Sequence, residues 1–111
     1  MACYQFICIH VAPSGKPQNI TGGALNSTSI LIQWDGLDCL DRNGVITGYK
    51  IYQSIDYLQL LLPTKYVNTS SFTVTHLFPR SNYTFQVAAV NVNGTGPNGT
   101  ITLSTEAVKS K

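Results

Sequence analysis

Residues Leu77–Gly96 read LFPRSNYTFQVAAVNVNGTG, and the middle of this stretch alternates. Tyr83, Phe85, Val87 and Ala89 share one phase, and Asn82, Thr84, Gln86 and Ala88 share the other. A period of two marks a strand with one buried face. Aromatic and β-branched residues on the inward phase suit a pleated surface. Pro79 lies just before the run, and the Asn- and Gly-rich NVNGTGPNG follows it, so turns bound it on both sides. The reading is a strand over Asn82–Val90 followed by a loop.

Working outward, the same signals recur. Ser29–Asp35 alternates, with Ile30, Ile32 and Trp34 on one face and Leu31 and Gln33 on the other. A turn-rich GLDCLDRNG follows, and then a strand over Val45–Gln53 with Tyr49 and Ile51 inward. Ser70–Thr75 places Phe72 and Val74 on one face, and Thr100–Ser104 places Ile101 and Leu103. Gln18–Leu25 is weaker and is read as an edge bending at Gly22 and Gly23. Leu60–Leu62 has no clear period and is read as a short edge strand. Seven short strands with turns between them, and no sustained 3.6-residue period, predict an all-β sandwich. No glycine loop joins a strand to a helix as a nucleotide site requires.

The chain has 111 residues and a mass of 12.1 kDa, the size of one domain. The domain is placed over residues 17–108, with a leader over 1–16 and a tail over 109–111. Pro13–Gly15 and Pro17 read as a flexible entry. The apolar opening MACYQFICIHV is either a packed leader strand or the remnant of a targeting segment. Charged residues are 11% and the net charge is +2, with Lys and Arg scattered, which excludes a nucleic-acid footprint. No apolar run approaches the roughly eighteen residues of a membrane span, so direct membrane insertion of the domain is not expected.

Cys3, Cys8 and Cys39 are an odd set without zinc spacing, and His10 and His76 stand apart. Asp35, Asp38 and Asp41 do not follow a calcium-loop pattern, and no nucleophile elbow is present. No catalytic residue, metal ligand or cofactor site is therefore assigned, and the chain is read as no enzyme.

Trp34 in SILIQWD, the segment ITGYKIY (Ile46–Tyr52) and the stretch Leu77–Gly96 together resemble the fibronectin type III pattern. The resemblance runs over roughly Pro17 to Val108. It implies an immunoglobulin-like Greek-key sandwich of seven strands, with the first, second and fifth strands in one sheet and the other four in the second. Trp34, Tyr49, Ile51, Leu77, Tyr83, Phe85 and Val87 would form the core. The Trp34 indole N–H would need a partner, and the Tyr83 phenol would bond back to the Pro79 turn as a tyrosine corner. The loops after Trp34 and after Val90 would meet where the chain enters. That would bring Cys8 near Cys39, and a disulfide is expected between them. Most members of the family do without one. The alternative is a buried Cys8, with Cys39 pairing to a neighbouring domain.

Asn19, Asn26, Asn68, Asn82, Asn93 and Asn98 all stand in N-x-[ST] sequons, where about one or two would arise by chance. The excess points to a secreted or cell-surface glycoprotein. Loops on a rigid sandwich are common binding elements, so the loop end of Asp38–Asn43 and Asn91–Asn98 is the expected interaction surface. Leu37, Leu40 and Arg42 are its anchors, with Asn93 and Thr95 opposite. A second surface is the Tyr57–Leu62 edge, whose leucines are read first as a cap on the core. There is no Arg-Gly-Asp triplet and no Trp-Ser-x-Trp-Ser motif. The expected function is a non-catalytic extracellular adhesion or interaction module in a receptor ectodomain or matrix protein. It would engage a protein partner or neighbouring domains. The alternative is a structural spacer in a tandem array, either outside or inside the cell.

Overall fold

A computed structural model describes residues 11–37, 39–56 and 60–108. Seven strands form two antiparallel sheets. β1 (Gln18–Ala24), β2 (Ile30–Asp35) and β5 (Ser71–Val74) make the first, in the order β1-β2-β5. β3 (Gly48–Ile55), β4 (Leu60–Val67), β6 (Asn82–Asn91) and β7 (Gly94–Ser104) make the second, in the order β4-β3-β6-β7. A single helical turn, α1 (Cys39–Arg42), lies between β2 and β3. The division of strands is the one the resemblance implied, and the fold is a seven-strand fibronectin type III-like sandwich.

The core follows from the alternation. Ile30, Ile32 and Trp34 of β2 and Val74 of β5 face Ile51 and Ile55 of β3 and Tyr83, Phe85 and Val87 of β6, all buried. Tyr49 is half-buried at the upper end of this cluster, edge-on to Trp34 with ring centroids 5.4 Å apart. Tyr83 stacks on Phe85 at 6.3 Å. Ala88 departs from the expected pattern. It lies on the outward phase, yet it is fully buried. Its methyl is short, and it sits between Lys50 and Asn98 in the ladders.

Tyr83 also closes the corner before β6. Its phenol oxygen accepts the Phe78 N–H at 2.7 Å. Thr105, just beyond β7, donates its hydroxyl to the Phe78 carbonyl at 2.6 Å and accepts the Ser81 N–H at 3.0 Å. Two side chains from outside the turn thus satisfy its backbone, which explains why Leu77 can be buried beneath it.

Several strand boundaries move. β3 begins at Gly48, leaving Val45 76% exposed, and runs on to Ile55. β4 continues through Pro63 to Val67, well past the short edge strand expected. Pro63 is tolerated because β4 is a sheet edge and its pairing with β3 shifts register there, between Ile51 and Gln53. The buried Gln53 uses its amide on the Pro63 carbonyl at 3.0 Å. β7 begins six residues early, at Gly94. The Asn-Gly-rich stretch is a two-residue turn followed by strand, with Asn91 opposite Gly94. Gly94, the first residue of β7, has φ +146°, a conformation that favours glycine. Gly48 is required for space, since a Cβ there would lie 2.6 Å from the Tyr66 ring.

The Trp34 indole nitrogen corrects an expectation. It is buried without a hydrogen-bond partner among the described residues. Trp34→Phe removes an unsatisfied donor together with some apolar volume, and the two effects oppose each other. Chemical denaturation should show a loss of about 1–2 kcal/mol. A loss well above that would mean the indole N–H is bonded in solution.

Candidate functional site: the loop end where the chain enters

The expected loop end exists, but its composition differs. Leu37, expected as an exposed anchor, is 3% exposed and belongs to the packing under the loop. Leu40, on α1, is 91% exposed. Arg42 is half-buried, and its Nε donates to the Leu37 carbonyl at 2.9 Å. Asn93 is exposed at the β6–β7 turn, and Thr95 is half-buried within β7, paired with Val90. Cys39 opens α1. Cys8, the partner expected for it, lies outside the described residues, as do Asp38 and residues 57–59 of the second surface. Leu62, from that edge, packs against the core.

The entry segment is tied down, not flexible. Pro13 and Pro17 are buried. Ser14 N–H donates to the Asp41 carbonyl at 2.8 Å. The Asn43 amide donates to the Ala12 carbonyl at 2.9 Å. At the centre is Asn91, 3% exposed. Its amide nitrogen reaches the carbonyls of Val11 and Arg42 at 3.0 Å and of Asn43 at 3.1 Å. Its side-chain oxygen accepts the Asn93 N–H at 2.8 Å. One side chain therefore joins the entry segment, the α1 loop and the β6–β7 turn. Sequence reasoning passed over Asn91, although a signal was there. It shares the phase of Tyr83, Phe85, Val87 and Ala89, and a polar residue on an inward phase implies buried hydrogen bonds. Val92, beside it, is 88% exposed and was also missed.

The aspartates serve separate local roles. Asp41 accepts from the Ser14 hydroxyl at 3.4 Å, and Asp35 from the Asn19 amide at 2.8 Å. Asn19 sits at φ +54° where the β1–β2 register shifts. Among the described residues no three His, Cys, Asp or Glu side chains gather as a metal site would need. All six sequon asparagines are exposed: Asn19 and Asn98 on edge strands, Asn26, Asn68 and Asn93 in turns, and Asn82 at the start of β6.

The Tyr49 phenol is pushed above its ordinary 10.0 by burial, with the Arg42 charge pulling the other way. The fold therefore favours the neutral phenol. Its contribution is fully present below pH 10 and is lost as pH rises through the higher folded value. Tyr49→Phe should flatten the alkaline fall in stability above pH 10 relative to the parent chain. Denaturation midpoints measured between pH 8 and 11.5 check this, and parallel curves would refute it.

With this geometry in hand, the comparisons with known proteins fall into place. The fibronectin type III domain model matches residues 15–105, and the chain belongs to that family. It is 41% identical over 85 residues to the mouse netrin receptor DCC, covering 77% of this chain and 6% of that protein. It is 40% identical over 100 residues to rat neogenin, covering 88% and 7%. The chain thus spans a small fraction of the relatives it matches. Among solved structures, the third fibronectin III domain of the human KIAA0343 protein superposes with a TM-score of 0.76 at 23% identity, covering 91% of this chain and 89% of that one. Fibronectin type III domains are non-catalytic adhesion and structural modules, and this chain is one of them.

Proposed function

We propose that this domain is a protein-interaction module in the extracellular part of a larger cell-surface receptor. The observation that carries the reading is that all six sequon asparagines are exposed on the folded domain. The similarity to netrin receptor DCC and neogenin supports the receptor setting. The interaction surface is the loop end, where Leu40, Arg42 and Val92 surround the clamped entry segment.

The test is intact mass after passage through a eukaryotic secretory pathway, with and without N-glycosidase and reductant. Mass should fall on glycosidase treatment. Unmodified protein would overturn the extracellular placement. Binding to a panel of candidate ectodomains, weakened by Leu40→Ala and Arg42→Ala, tests the interaction role.

The same mass measurement tests the Cys8–Cys39 disulfide. Val11 O and Arg42 O both lie 3.0 Å from the Asn91 amide nitrogen, and each cysteine is three residues upstream of one of them. Three residues span at most about 10 Å, so the spacing permits the bond. A gain of two hydrogens on reduction, with a Cys8–Cys39 peptide in a non-reducing map, is the expected result.

A spacer role is the second reading, and the clamp favours it. An entry segment bonded to Asp41, Asn43 and Asn91 transmits orientation from whatever precedes it.

A further inference from the structure

We propose that the cavity between α1 and the start of β3 receives a carboxylate of a partner protein, an Asp or Glu side chain on a protruding loop, with Arg42 as its ligand. This rests on the interaction reading above and names the chemistry of the contact.

The cavity holds about 430 Å³ and is lined by Arg42, Val45, Ile46, Thr47, Tyr49 and Asn68, among others, with no acidic residue among the described residues of the lining. Arg42 is its single charged group. The Nε–H is committed to the Leu37 carbonyl at 2.9 Å, which fixes the plane of the guanidinium. Among the described residues that is the one hydrogen bond its side chain makes, so four N–H groups remain on the two terminal nitrogens. A guanidinium held in plane with both terminal nitrogens open presents the paired donors that match a carboxylate.

The surroundings fit the same ligand. The Tyr49 hydroxyl makes no hydrogen bond among the described residues, although the ring is half-buried against Trp34. It is a second donor for the acid. Thr47 at the same wall offers no competing donor, since its hydroxyl donates to the Val90 carbonyl and accepts from the Tyr66 hydroxyl, each at 3.2 Å. Val45, 76% exposed, provides an apolar surface for the methylenes of a Glu. A lone acid held by one ion pair would bind at roughly millimolar strength, so the site works as part of a larger interface.

Asn68 matters because its sequon stands at the rim, where an acidic sugar on its own glycan would offer the same chemistry. Asp38, outside the described residues, is four positions from Arg42 and is the internal rival. Both enter the test.

The experiment is a titration of the full chain carrying Asn68→Gln, followed by the Arg42 Nε–H and the backbone amides of residues 45–49 in ¹⁵N NMR. The added molecule is N-acetyl-glutamate amide, with N-acetyl-glutamine amide as the neutral control. Saturable shifts with the glutamate compound and none with the glutamine compound are expected. Arg42→Lys should weaken binding by about 5–10-fold, and Arg42→Gln should abolish it. Because Arg42→Gln also removes the bond to Leu37, Val45→Glu is the second variant. It places a carboxylate at the rim and should block the added acid while leaving the fold's amide spectrum intact. Equal shifts with both compounds would overturn the proposal, as would shifts that survive Val45→Glu or appear only with Asp38→Asn. If an ectodomain partner is found and Arg42→Gln binds it unchanged, the carboxylate contact fails while the interaction module stands. If the acid titrates Arg42 as described and no panel protein binds, the interaction reading is what has failed.

Discussion

Tyr83→Ala should destabilise the domain by about 3–5 kcal/mol, a large part of the 5–15 kcal/mol typical of small domains. The side chain is 1% exposed, stacks on Phe85 and belongs to the central cluster. Its removal leaves a cavity between the two sheets. Tyr83→Phe separates the packing from the corner. It keeps the ring and removes the acceptor of the Phe78 N–H at 2.7 Å. That orphaned donor should cost about 1–3 kcal/mol. Hydrogen exchange at the Phe78 amide should then accelerate more than at the β6 amides. Urea denaturation of the two variants, read with exchange at Phe78, checks both parts. If Tyr83→Phe is neutral and Phe78 stays protected, the hydroxyl has no structural role.

Asn91→Ala should cost about 3 kcal/mol, from the loss of one buried amide that serves three carbonyls and one N–H. The effect differs in kind from that of Tyr83. The sheets remain, and the loop end comes apart. Val11–Ser14 should become sensitive to protease, and the Ser14 amide, now bonded to Asp41, should exchange quickly. Asn91→Asp is the sharper variant. It keeps size and the Asn93 contact but sets a carboxylate against three carbonyls, so at pH 7 it should be at least as damaging. Burial against three carbonyls raises the folded-state pKa of this Asp above its unfolded value. The deficit is therefore full above the folded value and shrinks as pH falls through it. It is gone below about pH 4, where both states are protonated and the acid restores one donor. A stability difference that is flat from pH 7 to pH 3.5 would show that Asn91 does not hold the loop end.

Much of the fold was legible for a simple reason. Alternation in β2 and β6 reports one buried face directly, and those two strands supply most of the core. The corner around Pro79 was legible too, because a tyrosine at the start of an inward phase just after a proline turn has few other uses. Legibility failed where pairing, not pattern, decides the element. Gly94–Asn98 has turn residues in every position, and it becomes strand because β6 offers a free edge along its whole length. Pro63 argues against a strand, and β4 passes through it because one side of that strand needs no donors. Leu37 looked like a surface anchor, since an apolar residue in a loop gives no phase from which to read burial.

By itself the sequence determined the sandwich class, the inward faces of β2, β3, β5 and β6, the residues of the core and the positions of the six sequons. The first three follow from local periodicity, and the last from the N-x-[ST] triplet. Tertiary structure alone decided that the entry segment closes the loop end, that Asn91 ties three segments together, and that Arg42 lines a cavity with no acid among its described residues. Those depend on carbonyls and donors drawn together from positions as much as 80 residues apart. A backbone carbonyl carries no trace of itself in the identity of its residue, so no local pattern announces which ones a buried amide will need to satisfy.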